Sequence, residues 1–426
     1  MMSRFWTRLG AWHRDPWMRV AQAAACIVLL LTPFRSSAGL RGAMLLVAAG
    51  ALLVVHARAR QFSLLWPRAP WLGLVLLLWI VAAAASALTT PLIGEALGVV
   101  KRDILTPVLA GLVFFALTRT RHDVLRWCWV LAAGLLVLTV LVVREPFDPA
   151  VLAQNPAYLN VGWVTTWLVT LAPLFAVLLL APHARRSEAR LLLGIAISCI
   201  CIASWMSGSR MIWLCFAAML VLGMAVSLPG VEARLQRRHA LGFGTLLLLG
   251  LLLMLAMTMQ FRAATQSAQI DAITFALQDH RNLIWREAAA MISERPWTGF
   301  GYGNEAIGDL FSARFAEPWF RAFVRQPHNI LLNHALQMGL VGAALLAAVF
   351  VALTGTFVRM LRRRRFGALA RWAATCGLVL VAGVLLRNTV DDFFSRHGVL
   401  FFGIGCGMVM GLATRRRPLA AHHRLD

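Results

Sequence analysis

The residues of this sequence whose types and spacing suit chemistry are arginines and a histidine at the edges of apolar runs. Arg210 stands in Ser207-Gly208-Ser209-Arg210 between two such runs, Arg281 lies in a long mixed-charge stretch, and Arg387 closes a later run. A guanidinium near hydrocarbon is costly unless it snorkels or meets an anion. Each one alone reads as a snorkelling or structurally paired side chain. As a group they suit a phosphate clamp, because the planar fork grips phosphate oxygens in pairs and stays charged at any working pH.

His328 follows Pro327 and precedes Asn329, at the mouth of an apolar run. A neutral imidazole there suits a general base; the alternative is a hydrogen-bonded structural histidine. His334, within the same run, reads as a packed, bundle-facing side chain. Asp391 and Asp392 follow Arg387 and suit three roles: orienting His328, neutralising an arginine, or holding a cation. A solvated ion pair with Arg396 is the plainer reading. The sequence holds no Asp-x-Asp motif, so no metal is expected. Gly299-x-Gly301-x-Gly303 follows no parallel strand and opens no dinucleotide-binding helix, which leaves a tight turn or a phosphate-cradling nest. All seven cysteines fall inside apolar runs, so neither a disulfide framework nor a zinc site is expected, Cys199-x-Cys201 included.

What must position these residues is a set of membrane helices. With 60% hydrophobic residues, 14% charged and a mean hydropathy of +0.73, the chain cannot give itself a polar coat. Runs long enough to cross hydrocarbon fall near 18–34, 39–55, 70–90, 104–118, 126–143 and 159–181. Six more fall near 190–206, 210–228, 240–259, 329–357, 369–387 and 397–413. The expected fold is therefore an all-α polytopic membrane protein of about twelve transmembrane helices. The formal charge of +23 would suggest nucleic acid in a soluble chain, but the basic residues gather on alternate loops, such as Arg58/Arg60/Arg68, Arg234/Arg237/Arg238 and Arg362–Arg365. This positive-inside pattern puts both termini in the cytoplasm, and no nucleic-acid partner is expected. The basic, Trp-bearing segment from Arg4 to Arg19 reads as an interfacial helix leading into a retained first span.

Residues 260–328 break the rhythm as a long loop on the periplasmic side, which divides the chain into spans one to nine (1–259), the loop, and spans ten to twelve with a tail (329–426). Within the loop, Asp279 to Glu294 reads as an amphipathic helix with Arg281, Trp285, Ala288 and Ile292 on one stripe and Asp279 as N-cap. Pro296 and the three glycines end it. A second amphipathic piece, Ile307 to Val324, carries Phe311, Phe315, Trp319, Phe320 and Phe323 and suits the bilayer interface.

Three motifs resemble the O-antigen ligase family, whose membrane region is shared with O-antigen polymerases. They are Ser209-Arg210 with Leu214; Arg281-x3-Trp285 followed by Pro296, Gly299, Gly301 and Gly303; and His328-Asn329 followed by Gly339-x-x-Gly342. The resemblance implies a GT-C-like inner-membrane glycosyltransferase that works without metal or cofactor on the periplasmic face. Its donor would be an undecaprenyl-pyrophosphate-linked glycan, and its acceptor a sugar hydroxyl of lipid A-core. Arg210 and Arg281 would hold the pyrophosphate and His328 would deprotonate the acceptor; Asn329, Arg387, Asp391 and Asp392 are possible supporting residues by position, not by the resemblance. A polymerase joining two lipid-linked units is the alternative. A transporter of anionic lipid fits less well, because the basic residues cluster at one side and no inverted repeat stands out.

Overall fold

The computed structural model describes residues 15–59, 67, 69–145, 161–176, 178, 186–227, 234–266, 280–303, 306–316, 321, 324–362, 367–390, 392, 394, 395 and 397–413. Its elements are helices: α1 Pro16–Leu31, α2 Ala38–Ala59, α3 Pro70–Ala87, α4 Ile93–Val100, α5 Thr106–Leu117, α6 Arg121–Arg144, α7 Val161–Ala176 and α8 Arg186–Met206. They continue as α9 Arg210–Ser227, α10 Arg234–Gln266, α11 His280–Glu294, α12 Ala306–Ser312, α13 Ile330–Arg362, α14 Ala368–Asn388 and α15 His397–Ala413. Each of the twelve apolar runs read from the sequence holds a helix. Among the described residues, seven of these helices are long and apolar enough to cross a membrane, α2, α3, α6, α8, α9, α13 and α14. The chain is a multi-pass membrane protein, and large apolar side chains such as Leu46, Leu246 and Val351 stay exposed because lipid, not water, is their natural neighbour.

Helix α14 lies in the middle, packed on α13, α15, α9 and α7. Helices α5 and α15 make the closest pairing in the bundle. Gly403, Gly407 and Gly411 repeat every fourth position on α15, and a Cβ at any of them would run into the α5 backbone at Pro107, Gly111 or Phe115. Small residues at this spacing let two backbones touch where no hydrophobic force is on offer between apolar helices in lipid.

Two departures from regular helix matter for the site. Between α4 and α5 the rod is not broken but widened into a π turn over Lys101–Leu105, the kind of irregularity that re-aims side chains at functional sites. It turns Asp103 into the protein, while Lys101 and Arg102 stay exposed. In α13 the helix breaks at Gly339, whose φ of 68° and ψ of −172° only glycine adopts comfortably.

The long loop is more ordered than its composition suggests. Helix α10 runs on to Gln266, past the expected boundary at 260. Helix α11 buries Ile284, Ala288, Met291 and Ile292 in a small core with Phe311, Phe315, Val324, Ala335 and Leu336. The expected stripe of Ala288 and Ile292 is thus correct, and Asp279 lies outside the described residues. The expectation that the piece from Ile307 to Val324 lies along the bilayer is corrected for its first half: among the described residues a helix covers Ala306–Ser312, and Phe311 and Phe315 are buried against α11 and α13. Two aromatic rings gain more from that core than from an interface they would share with water. Trp319, Phe320 and Phe323 lie outside the described residues.

Candidate functional site

Helix α13 opens with Asn329 as its cap. The Asn329 Oδ1 accepts from the Leu331 and Leu332 amides at 2.9 and 3.1 Å, which satisfies two of the donors a helix leaves free at its start. Its Nδ2 donates to the Thr389 carbonyl at 2.8 Å, so the start of α13 is tied to the end of α14. Replacing Asn329 with alanine is expected to lower stability by about 1–2 kcal/mol, read as a shift in the thermal unfolding midpoint.

His328, just before this cap, has a φ of 51° and is the only non-glycine residue with positive φ among those described. A residue held in that region costs about 1–2 kcal/mol, so its surroundings must over-determine it. They do so on both sides: Asn329 fixes one, and on the other the Pro327 carbonyl accepts from Trp285 Nε1 at 3.0 Å. Trp285 is one turn along α11 from Arg281, so the two share a face. The arginine motif and the histidine motif therefore meet through one hydrogen bond.

Arg387 is 1% exposed and donates from Nε to the Thr165 hydroxyl of α7 at 2.8 Å. It points into the bundle and does not snorkel, and it lies within electrostatic reach of Cys215 in the second turn of α9. Arg210 opens α9 after a tight turn in which Gly208 takes a φ of 60°. Its side chain is exposed. Arg281 is half-buried.

Asp392 is not the solvated loop carboxylate of the plainer reading. It is 5% exposed, and its Oδ2 accepts from Asn333 Nδ2 at 2.5 Å and its Oδ1 from the Phe394 amide at 3.0 Å. Its backbone carbonyl accepts from Gln326 Nε2 at 3.2 Å. Asp391 and Arg396 lie outside the described residues. From Asp392 the network runs through Asn333 to Gln337, whose Oε1 accepts from the Gly303 amide at 3.0 Å.

That contact belongs to the turn at 299–303, and here the nest reading is corrected. The Phe300 and Gly301 amides donate to the Leu336 and Gln337 carbonyls of α13 at 2.9 Å each, and the Leu340 amide donates back to the Pro296 carbonyl at 2.7 Å. The Gly299 amide donates to Arg295, the Tyr302 amide to Ser86 Oγ, and the Gly303 amide to Gln337. Every amide from 299 to 303 is thus used within the protein, and none is left for a phosphate. The turn fills the break in α13, supplying the bonds the helix loses at Gly339. A Cβ on Gly299 or on Gly339 would run into the other strand of this joint.

Beneath the turn is a polar cluster of which the sequence singled out only Asp392 as a candidate site residue, with His334 read as packed. His334 and Tyr302 have ring centroids 6.0 Å apart, and the carboxylates of Asp392 and Asp103 act on both. Burial pushes the Tyr302 phenol well above its ordinary value, and the two carboxylates push the same way against the opposing Arg102. Asp103 is paired with Arg102 at 2.9 Å. The available signal was an acidic residue beside an apolar run, but the run was read from 104 onward. Among the described residues no group of three or more His, Cys, Asp or Glu side chains is placed to hold a metal.

The family model described as O-antigen ligase matches residues 195–347. No curated protein matches the chain. The matched stretch contains Arg210, Arg281, Trp285, the glycine turn, His328 and the break at Gly339. Residues 195–347 are thus similar to the O-antigen ligase family.

Proposed function

We propose that the protein is an O-antigen ligase of the bacterial inner membrane, built on about twelve spans in a GT-C-like arrangement, with both termini cytoplasmic and the His328 end periplasmic. It transfers a glycan from undecaprenyl pyrophosphate to a sugar hydroxyl of lipid A-core. His328 removes the proton from the acceptor hydroxyl, the freed oxygen attacks the anomeric carbon from the face opposite the leaving group, and the bond to pyrophosphate breaks with inversion. Arg210 and Arg281 take up the charge on the departing pyrophosphate. Asn329 positions His328, Arg387 lends positive charge from within the bundle, and Asp392 holds the start of α13 through Asn333. Asp391 adds charge beside it. A sugar pyrophosphate is already activated, so a base and a charge clamp suffice.

The observation that carries this reading is the strained His328 backbone, pinned by Asn329 and by Trp285 one turn from Arg281. Strain of this sort persists where geometry matters more than local stability. The deciding experiment mixes purified protein and lipid-linked glycan with chelator, adding lipid A-core to one of two samples. Glycosylated lipid A-core only in the supplemented sample supports the ligase. Longer lipid-linked glycans in its absence mean a polymerase, and activity that needs an added divalent ion overturns the metal-free mechanism. Arg210→Lys should slow transfer by ~10-fold or more, since a point charge cannot repeat a bidentate grip; a wild-type rate in that variant removes Arg210 from the clamp.

A further inference from the structure

The stretch of α13 from Leu340 to Val358 carries no charged side chain, and Arg359 follows it. At 1.5 Å per residue it spans about 28 Å, close to the thickness of a hydrocarbon core. Asn333, His334 and Gln337 all precede it. The bilayer boundary opposite Arg359 therefore falls at the Gly339 break, and whatever is joined to that break has a known depth.

The turn is joined to it. The Pro296 carbonyl accepts from the Leu340 amide at 2.7 Å, and a Cβ on Gly339 would run into the Trp297 backbone. Trp297 is thus at the boundary, and it is 69% exposed. Leu340 and Val341, just inside the boundary, are exposed as well. One turn outward, the Phe300 amide donates to the Leu336 carbonyl, and the Arg295 guanidinium lies over the Phe300 ring, 4.9 Å from its centroid. Such a cation–π contact holds a guanidinium by its face and leaves the N–H groups at its edge to an anion. Glu294, next to Arg295 in the chain, gives both its oxygens to Arg314, at 2.6 and 2.8 Å.

We propose that Arg295 and Trp297 form a site for an anionic phospholipid of the surrounding leaflet. Its phosphate meets the edge of Arg295, Trp297 sits at the level of its glycerol esters, and an acyl chain runs down past Leu340 and Val341. Cation, indole and aliphatic side chains follow one another inward in the order in which such a lipid presents phosphate, ester and chain. The site is separate from the clamp, since Arg281 lies at the other end of α11, roughly 21 Å along the helix. A lipid held there ties the turn to the headgroup layer, and through α11 the bond from Trp285 to Pro327 as well. The proposal needs a chain that spans a membrane and does not need the ligase reading.

The test uses two photoreactive probes with identical diazirine-bearing chains, a phosphatidylglycerol and a phosphatidylcholine, whose choline offsets the phosphate charge. Each is added at limiting concentration to the full-length protein in detergent, and labelled peptides are identified after digestion. Phosphatidylglycerol should label the peptides bearing Trp297, Leu340 and Val341 ~3–5-fold more than phosphatidylcholine does. Arg295→Gln should abolish that preference, and Trp297→Ala should lower labelling by both probes. Arg314→Gln removes the same charge from an arginine that is already paired and should keep the preference. Parity of the probes in the wild type, a preference that survives Arg295→Gln, or an equal loss in Arg314→Gln overturns the site. Unlabelled competitors identify the occupant: phosphatidylglycerol should displace the probe. Displacement by inorganic phosphate, or stronger displacement by lipid A than by phosphatidylglycerol, overturns the assignment to a phospholipid. No glycan is present, so a protein that labels as expected yet transfers nothing to lipid A-core refutes only the ligase reading.

Discussion

Replacing His328 with asparagine is expected to cut glycan transfer by ~10²–10⁴-fold while the protein still inserts and melts as the wild type does. The choice of asparagine matters because of the backbone. With φ at 51°, an alanine would carry the full left-handed penalty and confuse loss of a base with loss of fold. Asparagine tolerates that region better than most residues and has no group that takes up a proton near neutral pH. Transfer rate and thermal midpoint measured on the same preparation separate the two effects. A variant with near wild-type transfer would remove His328 from the chemistry altogether, and the strain would then need a purely structural account.

The second large effect concerns Gly339. Gly339→Ala should destabilise the protein by roughly 3 kcal/mol or more and abolish transfer with it. The added methyl would meet the backbone of Pro296 and Trp297, on a residue whose φ and ψ already suit only glycine. To make room, the turn at 296–303 must leave the break in α13 and forfeit the bonds from Phe300, Gly301 and Leu340. Helix α11 follows the turn, and with it goes the hydrogen bond from Trp285 that pins Pro327 beside His328. Gly50→Ala is the control, since a Cβ there meets nothing within 4 Å, and it should leave both midpoint and rate unchanged. If Gly339→Ala melts with the control, the joint does not hold the loop to the helix.

Helix positions were legible in the sequence because lipid demands long apolar runs whatever their neighbours are. The three motifs were legible because they are local spacings, and two of them turn out to be in contact through Trp285 and Pro327. What could not be read was rotation about the helix axis and pairing at long range. Nothing local announces that Ser86 will bond Gln337, 251 residues away, or that Asp392 will turn inward to Asn333. The glycine turn shows the same limit. Its spacing correctly marked a tight turn, but whether its amides would face a phosphate or another stretch of backbone depended on a break 40 residues further on.

Helix breaks in membrane proteins commonly serve as pivots, because the freed backbone groups let one half swing against the other. The break at Gly339 is closed by the chain itself, with bonds on both sides of it running to the same short turn. Residues 330–338 and 340–362 are thereby spliced into one stiff, bent beam with the turn as its gusset. The turn at 296–303 is built into the beam and moves with α13, not as a separate flap.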